Sequence, residues 1–380
     1  MKRLFGFSVL LSVAACGTPE SAGPQNGDVI PGRYIVQLDG SALPASFARG
    51  DETTVRAAAD SLASVAVFQH DVVFANALQG FVMTASAEEA ARLALDSRVL
   101  SVEPDRVVML GHDVEATGKP GTTPPPQSTP WGITRIGGAG DGTGKTAWII
   151  DTGIDRTHPD LIVDQTRSRT FLGGASTPWD QNGHGTHVAG TIAAKNDGIG
   201  VVGVAAGATV VAVRVLDRNG SGAYSGVIAG VDYVAANGAA GDVANMSLGG
   251  PINAALDTAV VNAAANGVRF VLAAGNETDN ANNHSPARAN GPNVYTISAT
   301  TSTDTFASFS NYGPAVDFAE PGVSIYSTYK GGTYATLSGT SMAAPHAAGL
   351  LLLGPIANGG TAIGDPDGSP DVIGVRSPSP

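Results

Sequence analysis

Residues Gly331 to Leu350 read Gly-Gly-Thr-Tyr-Ala-Thr-Leu-Ser-Gly-Thr-Ser-Met-Ala-Ala-Pro-His-Ala-Ala-Gly-Leu. Small residues lead into Ser341, and the apolar run Met342 to Leu353 behind it predicts a buried helix. Ser341 is therefore expected at the helix N-terminus, where a hydroxyl meets the positive end of the helix dipole. A serine hydroxyl is a weak nucleophile near neutral pH unless a base takes its proton. The stretch thus requires a histidine elsewhere, and a carboxylate to orient it.

Both partners occur upstream in strong local contexts. Asp151 ends the apolar run Ala147-Trp-Ile-Ile and opens Asp151-Thr-Gly. Aspartic proteases use the same tripeptide, but they need two such aspartates sharing a proton, and this sequence has no second one. The Asp151 context therefore favours a carboxylate that orients another group.

His184 lies in Asp180-Gln-Asn-Gly-His184-Gly-Thr-His187, where the glycines allow a substrate to approach the imidazole closely. A zinc site at His184 and His187 would need a further ligand, as in His-Glu-x-x-His, and none is nearby in the sequence. His187 is the competing candidate for the base, but we interpret His187 and His346 as core histidines.

Composition indicates a globular protein without a nucleic-acid partner. The chain has 380 residues and is 43% hydrophobic, which suffices for one large domain and one small one. Its net charge is −12 and no basic patch stands out. The single cysteine, Cys16, excludes intramolecular disulfides.

The N-terminus predicts export. Met1-Lys-Arg is followed by the short apolar run Leu4 to Ala15, so residues 1–16 have the pattern of a signal peptide and are too short to span a membrane. Val13-Ala-Ala-Cys16 also resembles a bacterial lipobox, in which the cysteine is lipidated. An ordinary signal peptide is the alternative. Residues 17–30 are rich in Gly, Pro, Ser and Asn, and are interpreted as a tether.

Two folded regions follow. Residues 31–110 carry a βαββαβ pattern, typical of a small ferredoxin-like α+β unit or a generic α+β module. Residues 111–130 are proline-rich and predict a solvated, cleavable linker. From Trp131 to Leu353, strand-like runs alternate with Ala-rich helical ones, which predicts an α/β fold with a mostly parallel sheet covered on both faces.

The blocks around Asp151, His184 and Ser341, in that order, resemble those of subtilisin-like serine proteases. Asn245-Met-Ser-Leu-Gly-Gly250 and Phe309-Ser-Asn-Tyr-Gly313 are most similar to the proteinase K branch. The resemblance covers about residues 131–353 and implies the three-layer subtilisin-like fold. It implies that Ser341 attacks the scissile carbonyl, that His184 carries the proton and that Asp151 fixes the imidazole tautomer.

The same resemblance implies further site residues. Asn276 matches the amide of the oxyanion hole, although by itself an Asn after Gly would indicate a turn. Two segments match the edges that pair with an extended substrate, and two side chains match a pocket remote from the cut. Read alone, both segments would indicate only turns. These residues are Gly220, Ser221, Gly222, Tyr224, Ser247, Leu248 and Gly249.

Calcium and a propeptide are also implied. The Pro292 and Val294 carbonyls and the Asp317 carboxylate match a calcium site of the proteinase K branch, and oxygen ligands suit this cation. Residues 31–110 resemble the family's inhibitory propeptide, which implies a zymogen that cuts its own linker. The family continues with helices and a strand after the serine helix, whereas residues 354–380 are rich in Gly, Pro and Asp and predict an irregular tail.

The sequence therefore predicts a secreted, monomeric serine endopeptidase that acts on polypeptides, with a precursor held at the bacterial cell envelope if Cys16 is lipidated. Two alternatives use the same fold. An inactive homologue that only binds peptides is disfavoured because all three candidate catalytic residues are present. An esterase would use the same acyl chemistry, but the two substrate edges favour polypeptide.

Overall fold

The computed structural model describes residues 23–111, 124–174 and 177–377. The predicted signal peptide, the lipobox cysteine and the first half of the predicted linker lie outside these residues. Within the described ranges, no helix is both long enough and apolar enough to cross a membrane.

Residues 29–109 form the small α+β unit that the sequence predicts. Its first strand lies between β3 and β4, which gives the antiparallel order β4-β1-β3-β2. Asp51 and Ser86 cap the two helices by accepting hydrogen bonds from Thr54 N–H and Glu89 N–H. The elements are β1 (Val29–Leu38), α1 (Glu52–Leu62), β2 (Gln69–Phe74), β3 (Gly80–Thr84), α2 (Ala87–Leu93) and β4 (Val99–Met109).

The second region is built on a ten-stranded sheet with the order β20-β21-β17-β16-β14-β12-β6-β10-β7, in which β8 also pairs with β10. All pairs except β20 with β21 are parallel. Its helices are α3 (Trp131–Arg135), α4 (His184–Ala193), α5 (Tyr224–Asn237), α6 (Ala254–Ala264) and α7 (Thr340–Leu353).

The strands of this region number β5 to β21. They are β5 (Gly140–Asp141), β6 (Thr146–Asp151), β7 (Ile162–Val163), β8 (Arg169–Thr170), β9 (Ala205–Ala206), β10 (Thr209–Arg214), β11 (Ser221–Ala223), β12 (Val243–Met246), β13 (Gly250–Pro251), β14 (Arg269–Ala273), β15 (His284–Ser285), β16 (Val294–Thr300), β17 (Phe318–Pro321), β18 (Ile325–Tyr329), β19 (Thr333–Leu337), β20 (Ile356–Thr361) and β21 (Val372–Arg376).

Two hydrophobic cores cover the two faces of the sheet. One core includes α5 and α6, with buried residues such as Val227 and Leu256. The other includes α4 and α7, with residues such as Val188 and Met342. Helix α7 lies between the sheet and α4, so its side chains are buried on all sides. This position accounts for its almost entirely apolar sequence. The predicted three-layer α/β architecture is confirmed.

The described second half of the predicted linker is largely exposed, although Pro126 and Ser128 form bridges with Ile199 and Val201. One prediction about a terminal segment is wrong. The tail is not irregular, since β20 and β21 form a hairpin and β21 extends the main sheet beside β17. Ile373 of β21 is fully buried. The two tail strands are short, contain glycines and carry no regular alternation of buried and exposed residues, so the sequence does not indicate them as strands.

Candidate active site

Asp151 and His184 form a buried hydrogen-bonded pair at the carboxyl edge of the sheet. Asp151 is the last residue of β6 and His184 the first of α4. The His184 Nδ1 atom lies 2.8 and 2.9 Å from the two Asp151 carboxylate oxygens. A carboxylate at Nδ1 places the ring N–H on that side and leaves Nε2 as the atom that can accept a proton.

A second carboxylate, the half-buried Asp180, links the two segments that carry this pair. It accepts hydrogen bonds from the Gly183 and Thr186 backbone N–H groups, at 2.8 and 3.0 Å, across the start of α4. It also accepts one from the Thr152 hydroxyl at 3.0 Å, and that hydroxyl oxygen accepts the Gly185 N–H at 2.9 Å. Burial raises the pKa of Asp180, against these hydrogen bonds, which lower it. Sequence reasoning missed its role although it quoted the residue.

Ser341 lies in the first turn of α7 and is 3% exposed. Its hydroxyl donates a 3.4 Å hydrogen bond to the Ser247 carbonyl. In a regular helix the Ser341 carbonyl would accept the N–H of residue 345, but Pro345 has no N–H. The Ser247 hydroxyl takes that place and donates to the Ser341 carbonyl at 2.8 Å. The substrate edge is thereby joined to the serine helix.

Asn276 follows β14 and lies beside Ser341 in the same cavity. Its Oδ1 atom accepts hydrogen bonds from the Thr340 backbone N–H and hydroxyl, both at 2.9 Å. This fixes the amide so that Nδ2 points into the cavity, where a Cβ placed on Gly111 would lie 2.8 Å away. Thr340, which sequence reasoning did not single out, is therefore the residue that orients the amide.

The two predicted substrate edges flank the last strand of the small unit. In β11, Ser221 and Gly222 pair antiparallel with Met109 and Val108 of β4. Gly249 forms an antiparallel bridge with Met109 from the other side.

The chain then runs on towards the serine. Leu110 N–H donates to the Gly220 carbonyl at 2.9 Å, and Gly111 reaches the cavity lined by Asn276 and Ser341. Residues 107–111 thus run along the two predicted substrate edges.

Leu248 and Tyr224 belong to the buried cluster against which Leu110 packs. Tyr224 is fully buried, and its hydroxyl donates to the Pro251 carbonyl at 2.6 Å. Burial raises the pKa of this phenol, so it stays neutral. The two side chains therefore form an apolar wall beside the bound strand.

The other buried histidines have structural partners. Burial lowers the pKa of His187 to about 3 and that of His346 to about 4, so both are neutral at ordinary pH. His187 Nε2 donates to the Ile325 and Ala335 carbonyls, and His346 Nδ1 donates to the Met342 carbonyl. In the described ranges, no group of three or more His, Cys, Asp or Glu side chains could hold a metal ion.

The predicted calcium residues lie on neighbouring strands. Val294 begins β16, and Asp317 directly precedes β17, which pairs with it. Asp317 N–H donates to the Thr296 carbonyl, and Asp317 Oδ2 accepts the Thr296 N–H, both at 2.8 Å. Asp317 is thus opposite Thr296, which lies two residues, about 7 Å, along β16 from Val294. The exposed carboxylate and the carbonyls of Pro292 and Val294 are hard oxygen donors that suit calcium.

Comparison with protein families assigns both regions. Residues 142–354 match the model of the subtilase family, and residues 33–111 match that of the peptidase inhibitor I9 family.

Curated relatives and a solved structure agree. Alkaline serine exoprotease A of Vibrio alginolyticus is 42% identical over 335 residues, which are 85% of this chain and 60% of that protein. An extracellular serine proteinase of Thermus sp. strain Rt41A is 38% identical over 376 residues, covering 90% of this chain and 87% of that protein. The crystal structure of a cold adapted subtilisin-like serine proteinase is 40% identical, with a TM-score of 0.59 over 66% of this chain and 98% of that one.

Fold and comparisons together define a serine-type endopeptidase. The chain belongs to the subtilase family and carries an I9 inhibitor domain in front of its peptidase domain. The predicted family, fold and enzyme class are confirmed.

Proposed function

We propose that this chain is a self-processing zymogen whose peptidase domain cuts polypeptides with Ser341, His184 and Asp151. Ser341 Oγ attacks the scissile carbonyl carbon while His184 Nε2 takes the hydroxyl proton. His184 then gives this proton to the leaving amine, and water repeats the cycle on the acyl-enzyme. Asp151 holds the imidazole tautomer and stabilises the imidazolium. The 2.8 Å contact between His184 Nδ1 and Asp151 supports these roles.

The proposed oxyanion hole consists of the Asn276 side-chain amide and the Ser341 backbone N–H. Both donors suit the negative charge that develops on the carbonyl oxygen. The two hydrogen bonds from Thr340 to Asn276 Oδ1 support this role, because they preorganise the amide before substrate arrives.

The observation that carries the zymogen proposal is the course of residues 107–111 through the cleft. Pairing with β11 and Gly249 aligns this strand as a substrate, and Gly111 is next to Asn276. We therefore propose that the first bond cut is Gly111–His112. The two flanking edges also favour a polypeptide substrate over a simple ester.

Three carboxylates support tight binding of the inhibitor domain. Asp105 accepts hydrogen bonds from Ser225 N–H and the Ser225 hydroxyl at the start of α5. The pKa of Glu103 is raised by burial and lowered by the backbone N–H groups of Ala254 and Ala255, which lie beside it at the start of α6. Both carboxylates therefore meet the positive end of a helix.

The third carboxylate belongs to the peptidase domain and binds the inhibitor domain. Asp232 on α5 accepts the backbone N–H groups of Asn76 and Ala77 at 2.8 and 2.7 Å. It thus binds the loop between β2 and β3 of the inhibitor domain, and it remains on the peptidase domain when the inhibitor leaves.

We further propose a structural calcium ion bound by the Pro292 and Val294 carbonyls and by Asp317. When bound, it would stabilise the start of β16 and the approach to β17, because an ion that binds only the folded chain stabilises it. We also propose that the protein is exported, since residues 1–16 have a signal pattern and a relative from Thermus is named as extracellular. A lipidated Cys16 would hold the precursor at the cell envelope.

Replacing the nucleophile tests the proposed function. The Ser341→Ala chain should remain uncut, whereas the parent chain should release a product whose N-terminal residue is His112. Intact mass shows whether each chain is cut, and N-terminal sequencing identifies the first residue of the product. Casein hydrolysis with and without a serine-directed inhibitor measures activity. Normal processing of Ser341→Ala would refute the assignment, and a different N-terminus would refute the proposed bond.

A further inference from the structure

The segment directly before β1 forms a tight turn beside the cleft. In residues Gln25–Asp28, which we call the clamp segment, Asp28 N–H donates to the Gln25 carbonyl at 3.1 Å. Asp28 Oδ2 in turn accepts the Gln25 N–H at 2.7 Å. Gly27 has a φ of 87°, a conformation that side chains disfavour. The sequence predicts a tether here, so the described part of that tether is a folded element instead.

The clamp segment is bound along the inhibitory strand β4. Gly27 N–H donates to the Val107 carbonyl, and Val107 N–H donates to the Asp28 carbonyl, both at 2.8 Å. The Arg106 guanidinium adds a 2.9 Å hydrogen bond to the Gly27 carbonyl. The edge of β4 opposite β11 is therefore paired right up to the substrate-binding residues.

The same segment also contacts the peptidase domain. The Asn26 carboxamide accepts the Met109 N–H at 3.2 Å and donates to the Gly249 carbonyl at 3.3 Å. It thus connects the inhibitory strand to the substrate edge by a single side chain.

The fit is close on both sides of this contact. A Cβ on Gly27 would lie 2.6 Å from Cγ of Pro251, and a Cβ on Gly250 would lie 2.7 Å from Asn26 Oδ1. Neither distance leaves room for a side chain without displacement of a neighbour.

We propose that the clamp segment is a second inhibitory contact, which retains the cut propeptide in the cleft by binding Gly249, Gly250 and Pro251. This inference rests on the zymogen function proposed above. After the Gly111–His112 bond is cut, β4 is held by its own pairing with β11 and by the clamp segment. The enzyme becomes active when both have left, so the clamp lengthens the interval between cutting and activity.

The test follows processing of the full chain by two readouts. Gel electrophoresis measures cutting, and hydrolysis of a peptide substrate measures active enzyme. Asn26→Ala removes both side-chain hydrogen bonds without altering the backbone, and Gly27→Val introduces a clash with Pro251. The matched controls are Gln25→Ala, whose amide bonds only Gly23 within its own segment, and Gly23→Val, where a Cβ meets nothing within 4 Å.

We expect Asn26→Ala to be cut normally and to shorten the interval before activity roughly 5-fold or more, the effect of two hydrogen bonds at the weak end of their usual range. Gly27→Val should shorten it at least as much, and both controls should match the parent. Equal intervals in all five proteins would overturn the proposal. Failure of the proposed function shows differently, because the parent chain would then stay uncut.

Discussion

At the residue scale, Pro345 explains why the predicted substrate edge is hydrogen-bonded to the helix that carries the candidate nucleophile Ser341. Proline inside a helix leaves the carbonyl four residues earlier without its donor, and here that carbonyl belongs to Ser341. The Ser247 hydroxyl satisfies it and is itself the acceptor for the Asn245 amide at 2.8 Å. All of these groups are buried. An unsatisfied group here would therefore be costly.

We predict that Ser247→Ala destabilises the fold by about 1–3 kcal/mol, since it leaves the Ser341 carbonyl and the Asn245 amide without this partner. Catalytic efficiency should fall at least tenfold because Ser341 is no longer held. Pro345→Ala returns an N–H to the Ser341 carbonyl, so the double variant should lose less than the sum of the single losses. Urea unfolding in a Ser341→Ala background measures stability, and peptide hydrolysis measures activity. Strictly additive losses would contradict this coupling.

Motifs identified the candidate catalytic residues, but not the residues that hold them. Asp151, His184 and Ser341 each stand in a short segment whose neighbours reveal the chemistry, and the structure brings the first two into contact. Thr340 and Ser247 act through contacts between residues 64 and 94 positions apart, respectively. No local pattern encodes such contacts, so these supporting roles became visible only in the fold.

At the scale of elements, the regular strands and helices were predictable and the tail was not. Strand β14 and helix α6 lie in the region where the sequence predicts strand-like runs that alternate with Ala-rich helical ones. Those segments carry long apolar patterns. In the tail, Val372–Arg376 pairs with β20 at four positions and with β17 at one, and its strand character depends on these neighbours.

The tail contains a carboxyl group that should make its docking depend on pH. Asp371 precedes β21 and accepts a 2.6 Å hydrogen bond from Ser298 of β16. Burial, together with the nearby carboxylates of Asp365, Asp367 and Asp317, raises the pKa of Asp371 to about 7, although the Ser298 hydrogen bond lowers it. In the unfolded chain this pKa is near 3.8. The folded state therefore binds the proton more tightly than the unfolded state.

We predict that stability in the absence of calcium falls as pH rises from about 4 through about 7, because the fold must give up this proton. The loss from this residue is at most about 4 kcal/mol. Asp371→Asn should flatten the profile. Thermal unfolding of Ser341→Ala with and without Asp371→Asn, in chelator across this range, measures the difference. Parallel profiles would show that Asp371 is not the titrating group.

At the scale of the whole molecule, carboxylates of the inhibitor domain and of the peptidase domain each face backbone N–H groups of the other domain. The inhibitor domain brings Glu103 and Asp105 to helix N-termini of the peptidase, and the peptidase offers Asp232 to backbone N–H groups of the inhibitor. The contacts of β4 and of the clamp segment complete the interface in the cleft. Cutting one peptide bond removes none of them, so release of the inhibitor is a separate step.

Because cutting and release are separate steps, the release of the inhibitor domain would determine when the peptidase domain leaves the cell envelope. Cys16 precedes the inhibitor domain, and every candidate catalytic residue follows Gly111. If Cys16 is lipidated, the precursor is held at the envelope by the lipid and by the covalent inhibitor domain. After the cut, the peptidase domain would stay at the envelope until it dissociates from the inhibitor domain.

We therefore predict that uncut Ser341→Ala precursor is recovered with the membrane fraction of expressing cells, and that Cys16→Ser moves it to the soluble fraction. The parent chain should yield soluble peptidase, and it should do so sooner when Asn26→Ala weakens the clamp. Fractionation followed by immunoblotting of both domains measures these distributions. Soluble precursor with Cys16 intact would instead identify residues 1–16 as an ordinary signal peptide, in which case the clamp delays activity without delaying release from a membrane.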